Sequence, residues 1–406
     1  MPKAICLYMH VHQPWRVRQY SAFDTGVDHN YWGAGDGEIL RKVADKSYFP
    51  TNTALIDMLN TYPEFRVSLS ITGTFIEQCE YYLPELLESF KALVNAGRSP
   101  DGDQSKNRVE IVGETYYHSL AFFYSRPEFD RQVAQHAQKI EDVFGLRPTA
   151  FRNTELAYNN DLGKWADTHG YKAILAEGWD KVLGWRSPNF LYKPPGTERI
   201  KLLLKNYKLS DDMAFRFSNR SWAEYPLTSG KYAAWLDAED APLVNLFVDY
   251  ETFGEHHWED TGIFNFLKAL PHEWLSRPEH TFMTVSEAAD FYEVKDEVSM
   301  PHVVTWADTE RDLSAWLGNR MQQESNHYIY AMEQHILETG DIHLIGDWRR
   351  LTTSDHAYYM STKYWNDGDV HAYFSPKPSP FDAFMDYMNA LRDVRFRLIK
   401  NHVKRG

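Results

Sequence analysis

Seven short apolar runs recur along the first 285 residues, with helical stretches between them: residues 3–9 (KAICLYM), 66–71 (RVSLSI), 108–112 (RVEIV), 149–153 (TAFRN), 172–176 (KAILA), 243–248 (LVNLFV) and 281–285 (TFMTV). Most are continuous rather than alternating, as in parallel strands covered on both faces. Seven such strands with helices between them predict a closed or nearly closed α/β barrel. A further pair of runs, 190–193 and 200–205 around Pro194-Pro195-Gly196, reads as a hairpin excursion from that pattern.

In a parallel barrel the C-terminal strand ends open on one rim, so residues distant in sequence converge there. His10 and His12 follow the first run, Glu114 the third, Glu155 the fourth, Glu177 the fifth, Asp249 and Glu251 the sixth, and Glu287 the seventh. The sixth is the richest. In VNLFVDYETFGEHHW the apolar run stops at Asp249 and Glu251, which leave a strand on one face, and Glu255, His256, His257 and Trp258 follow at once. Acids after strands also serve as helix caps, and for Glu287 that reading leads because Thr284 and Ser286 sit where a cap belongs.

At 406 residues the chain exceeds one ordinary core, and 43% hydrophobic residues with 61 aromatics describe a packed globular protein. The formal net charge of −14 opposes nucleic acid and anionic membrane surfaces as partners. Only Cys6 and Cys79 occur, which excludes a disulfide framework and a cysteine-based metal cluster. The N-terminus shows no signal-peptide pattern and no run reaches membrane-span length, so a cytoplasmic enzyme is expected. Beyond residue 293 the pattern turns helical, as at 309–338 and 380–402, and the charged EVKDEVSMPHV marks the boundary. The expected division is 1–295 for the barrel and 296–406 for a helical bundle packed on its rim.

Two chemistries compete for these residues. His10 and His12, two apart at a strand end, could bind a metal as in amidohydrolase-like enzymes. The later strand ends, however, offer Glu155, Glu177 and Glu287 rather than further histidines, which favours hydrogen bonding to a polar substrate. Glu155 in FRNTELAYNN follows Arg152, whose charge would keep a carboxylate ionised. Asp249 has Glu251 on the same face, whose charge would raise the pKa of Asp249. Two carboxylates so separated are the machinery of glycosidic bond cleavage.

The same segments resemble glycoside hydrolase family 57, the α-amylase and 4-α-glucanotransferase family. Its five regions appear in order as His12-Gln13-Pro14, VEIVGETYYHSL, FRNTELAYNN, FVDYETFGEHHW and MTVSEAADF. The resemblance implies an incomplete (β/α)7 barrel followed by a helical bundle, and a retaining enzyme with Glu155 as nucleophile and Asp249 as general acid/base. It gives His12 a substrate-binding role, makes Glu110 or Glu114 an acid near the site and Glu251 a supporting carboxylate, and calls for no metal or cofactor. In TWADTERDLSAW and DWRRLTTSDHAYYM, the bundle offers Trp306, Asp355 and His356 to a sugar cleft. With His10, His256 and Trp258 these complete the expected substrate-binding set. The expected reaction is hydrolysis of α-1,4-glucosidic bonds in starch, glycogen or maltooligosaccharides. Glucan transfer or branching on the same scaffold, and a catalytically silent glucan-binding protein, are the alternatives.

Overall fold

The computed structural model describes residues 2–33, 35–363 and 375–405, with side chains through residue 400. Among the described residues ten strands form two sheets: β1 (Lys3–Val11), β2 (Val67–Ile71), β3 (Val109–Ile111), β8 (Leu243–Asp249) and β9 (His280–Phe282) in one, β4 (Ala150–Phe151), β5 (Ala173–Glu177), β6 (Leu191–Lys193), β7 (Lys201–Lys205) and β10 (Val294–Glu297) in the other. The order β8–β1–β2–β3 and the order β4–β5–β7 are parallel throughout. Two narrow seams join them. Gly113 bridges to Phe151 between β3 and β4, and the Asn206 N–H donates to the Asn245 carbonyl at 2.9 Å between β7 and β8. Seven parallel strands therefore surround one interior, the incomplete (β/α)7 barrel expected from the sequence.

Two runs take roles other than the expected ones. The 190–193 and 200–205 runs do form an antiparallel hairpin, but its second strand is no excursion: β7 pairs in parallel with β5 from Ala173↔Lys201 to Glu177↔Lys205 and completes the wall. The seventh run supplies β9, which pairs only with Lys3–Ile5 at the start of β1, below the point where β2 takes over at Tyr8. The charged segment near 295 is β10, an edge strand paired with β6.

Strand alternation sorts the core. On β1, Ile5, Leu7, Met9 and Val11 pack outward into the largest apolar cluster, against helices Phe49–Thr61, Gly73–Tyr82, Pro84–Ala96 and Ile263–Trp274. Ala4, Cys6 and Tyr8 point inward with Val112, Ala150, Ala173, Leu175, Leu203, Leu243 and Phe247. The inward row of β1 continues to His10 and His12, that of β8 to Asp249, and that of β4 to Arg152.

The later residues are helical, with Arg320–Ala331, Glu333–Thr339, Ile342–Leu351 and Pro380–Arg405 as the main helices; residues 309–313, expected to begin a helix, belong to a loop over 305–313. These helices share a core with the segment that follows β1, where Trp15, Tyr20, Tyr31 and Trp32 pack with Ile329, Trp348 and Leu391. Buried Asp393 ties that segment down: its carboxylate accepts from the Gly26 N–H at 2.7 Å, His29 Nδ1 at 2.8 Å and the Tyr31 hydroxyl. Among the described residues no helix is long and apolar enough to cross a membrane. Asp393→Ala leaves these donors without their charged acceptor, and a loss of about 3 kcal/mol is expected by chemical denaturation. A loss within experimental error would show the tie to be incidental.

Candidate active site

At the C-terminal ends of the strands a fully buried guanidinium stands at the centre of a polar cluster. Arg152 Nη1 lies 3.3 Å from Glu114 Oε2, 3.3 Å from His10 Nε2 and 3.5 Å from His118 Nδ1. The rings of His10, His12 and His118 stack, with His118 centred 4.8 Å from His10 and 4.2 Å from His12. Burial alone would raise the Glu114 carboxyl, but His10, His118 and Arg152 hold it well below the carboxylate range.

Each side of the stack reaches one of the two expected catalytic acids. His118 Nε2 lies 3.0 Å from Glu155 Oε1, and the Trp306 indole N–H donates to Glu155 Oε2 at 2.8 Å. Against the upward push of burial, these two contacts and Arg152 keep Glu155 below its ordinary value. His118, buried between Glu114 and Glu155, is pushed up to about 9 because the two carboxylates outweigh its desolvation. On the other side His10 Nδ1 stands 3.7 Å from Asp249 Oδ1, and the Asp249 side chain keeps 40% of its surface exposed.

The backbone here is strained. Among the described residues, those other than glycine with positive φ are His118 (52°), Glu155 (58°), Leu156 (49°), Asp308 (60°) and Arg311 (50°), all in loops around this cluster. Each such conformation costs on the order of 1–2 kcal/mol. Strain of this kind persists where surrounding contacts over-determine it, commonly at functional sites. The Trp306 N–H donates to the Glu155 carbonyl at 3.3 Å, and Arg311 Nη1 donates to buried Glu177 at 2.7 Å, fixing the 305–313 loop against β5. Two further pairings join the later residues to the rim, Tyr158 with Val304 and Ser119 with Thr353.

The expected residues divide accordingly. His10, His12, Glu114, Glu155, Asp249, Trp306 and Asp355 are brought together; Asp355 Oδ2 lies 3.0 Å from His12 Nε2, whose other ring nitrogen lies 2.9 Å from Thr72 Oγ1. Glu110 is not. It shares the inward face with Glu114 but lies four residues, roughly 13 Å, further down, accepting from Ser68 Oγ at 2.8 Å and from the Ser286 N–H at 3.2 Å. His356 turns the other way from Asp355, into the bundle core beside Trp32 and Tyr387. Trp258 is a 56% exposed surface ring with the Lys46 ammonium 4.6 Å from its centre. His256 flanks Asp249 through its charge, and burial lowers its pKa. Glu287 is the cap expected, closing a capping box with Thr284.

One electrostatic expectation holds and one is reversed. Arg152 lowers Glu155 as expected, although it pairs directly with Glu114 and the direct partners of Glu155 are His118 and Trp306. Asp249 is not raised by Glu251: burial pushes it up, but His10, His256 and Arg152 hold it below its ordinary value. It is Glu251, buried under the Tyr48 hydroxyl that donates to it, whose pKa burial and the Asp249 charge push up to about 8. The sequence reading passed over His118, although its position four residues after Glu114 in ETYYHSL was a usable signal. Tyr48, 203 residues from Glu251, left no such signal.

Comparison with known proteins gives the class. The sequence profile of Glycosyl hydrolase family 57 matches residues 6–301, and the chain belongs to that family of glycoside hydrolases. It is 43% identical over 371 residues, 88% of this chain and 76% of the relative, to a Methanocaldococcus jannaschii protein described as "Putative alpha-amylase". Among solved structures it resembles the GH57-type branching enzyme of Pyrococcus horikoshii (TM-score 0.67, 15% identity, 99% of this chain and 88% of that one). It also resembles the α-amylase AmyC of Thermotoga maritima (TM-score 0.60, 14% identity, 98% and 94%). At these identities the two structures speak for the fold.

A raised Glu251 has a consequence for stability. The group is protonated in both states below its ordinary value near 4.5, and in the folded state alone between there and about 8, so its contribution to folding is lost as pH rises through that window. Glu251→Gln is expected to flatten the fall in folding stability between pH 5 and 9, measured by denaturant titration at each pH. An unchanged slope would place the proton elsewhere.

Proposed function

We propose that the chain is a retaining hydrolase of α-1,4-glucosidic bonds in starch, glycogen or maltooligosaccharides, with residues 1–295 carrying the catalytic groups and 296–406 contributing Trp306 and Asp355 to the cleft. The observation that carries this reading is the state of Glu155: an ionised carboxylate on strained backbone, gripped by His118 and Trp306, on the same rim as partly open Asp249. In this reading a Glu155 oxygen attacks the anomeric carbon as the glycosidic C–O bond breaks, and the Asp249 proton passes to the leaving oxygen. Asp249 then takes a proton from water, which attacks the β-glycosyl-enzyme and releases an α product. The family supports the cleavage chemistry, and the name of the Methanocaldococcus relative supports hydrolysis of an α-glucan.

The free chain holds Asp249 ionised, whereas the first step needs it protonated. A sugar seated over its exposed edge removes water from the carboxylate, which favours the neutral form. Glu251, already protonated behind it, adds no second negative charge at neutral pH. His12 and Asp355, bound to each other and partly exposed, suit hydroxyl recognition, and the Trp306 ring supplies an apolar face for a sugar.

Incubation with a defined maltooligosaccharide, followed by product sizing, tests the activity: only shorter products are expected, whereas longer and shorter chains together would mean transfer. Glu155→Gln is expected to lower turnover by at least about a thousandfold. Glu155→Ala with added azide should release a β-glycosyl azide, and turnover that survives loss of this carboxylate would end the mechanism. Trp306→Phe removes a donor from the ionised form of Glu155, so the acidic limb of the kcat/KM profile should move to higher pH. A limb that stays in place would assign it to another group.

A further inference from the structure

Two groups of potential metal ligands overlap at the rim and share His118: His10, Glu114 and His118, and His12, His118 and Asp355, with the ligand atoms of each group within 4.8 Å of one another. They differ in what already stands among them. In the first, Arg152 Nη1 lies at 3.3, 3.3 and 3.5 Å from the three atoms an ion would use, so a guanidinium takes the cation's place. The second has no such occupant among the described residues. Thr72 lies 2.9 Å from His12 Nδ1, leaving Nε2 directed at Asp355 Oδ2, 3.0 Å away. His118, whose Nδ1 faces Arg152, turns Nε2 toward Glu155 Oε1 at 3.0 Å.

We propose that His12, His118 and Asp355 bind one zinc-class divalent ion, and that the bound ion blocks the cleft. Two imidazoles with one carboxylate suit Zn²⁺ and its neighbours rather than Ca²⁺ or Mg²⁺, which take oxygen ligands in larger number. Tetrahedral bonds of about 2.1 Å place ligand atoms about 3.4 Å apart, so the longest side of this triangle has to close by at most about 1.4 Å. The ligands come from three separate elements, the end of β1, the loop after β3 and the helix Ser354–Tyr358, and the Ser354 N–H donates to the His118 carbonyl at 2.9 Å, joining two of them. The ion would be an inhibitor, because it takes His118 away from Glu155, and His12 and Asp355 away from a sugar.

Binding rests on this geometry alone; inhibition also rests on the glycoside-cleaving reading. Titration of the metal-free chain with zinc chloride is expected to show one ion per chain, with His12→Gln and Asp355→Asn each weakening binding by about 10- to 100-fold. Zinc-soaked crystals of the unaltered chain should give an anomalous peak between His12, His118 and Asp355, which decides the site even if a variant misfolds. No stoichiometric binding, a peak elsewhere, or equal affinity in both folded variants would overturn the site. Zinc bound there with turnover unimpaired would overturn the blockade. A chain without turnover in any condition would count against the glucan reading and leave the titration and the crystal to decide the metal.

Discussion

A full positive charge with no exposed surface organises the rim. Removing a guanidinium from water costs several kcal/mol unless fixed partners compensate it, and Arg152 finds them in His10, Glu114 and His118, contributed by β1 and the loop after β3. That requirement orients His118 so that its second nitrogen faces Glu155, and holds His10 between Glu114 and Asp249. The ionised state of both candidate catalytic acids thus rests in part on how one buried arginine is accommodated, with Trp306 and His256 adding to it.

The barrel makes this accommodation possible through strand parity. Inward positions on adjacent parallel strands share a layer, so His10, Arg152 and Asp249 reach one level although more than 90 residues separate each from the next. The same rule separates Glu110 from Glu114, which lie on one face of one segment at different depths. The upper acid meets histidines and an arginine, whereas the lower meets serine hydroxyls and caps the wall. The later residues complete the rim through short backbone pairings at Val304 and Thr353, which hold Trp306 and Asp355 in place.

The pair Asp249 and Glu251 shows why proximity in sequence is a poor guide to titration. Two like charges two residues apart must share the cost of ionisation, but nothing in the sequence says which one bears it. Burial decides. Glu251 is sealed under Tyr48 and keeps its proton, while Asp249 stays open to solvent and to His10, so Glu251 and not Asp249 bears the raised value.

The sequence by itself determined the parallel barrel and six of its seven wall strands, the later helices and the strand ends that carry His10, Glu114, Glu155 and Asp249, because apolar periodicity and chain direction are local properties. It also carried the family, through ordered motifs that survive in one dimension. Only the tertiary structure decided that 200–205 is a wall strand, that His118 and Arg152 hold the site together, that Glu110 and His356 stand outside it, and which acid keeps its proton. Those outcomes depend on burial and on partners hundreds of residues away, as with Tyr48 and Glu251, 203 residues apart. Such distances are set when the sheet closes.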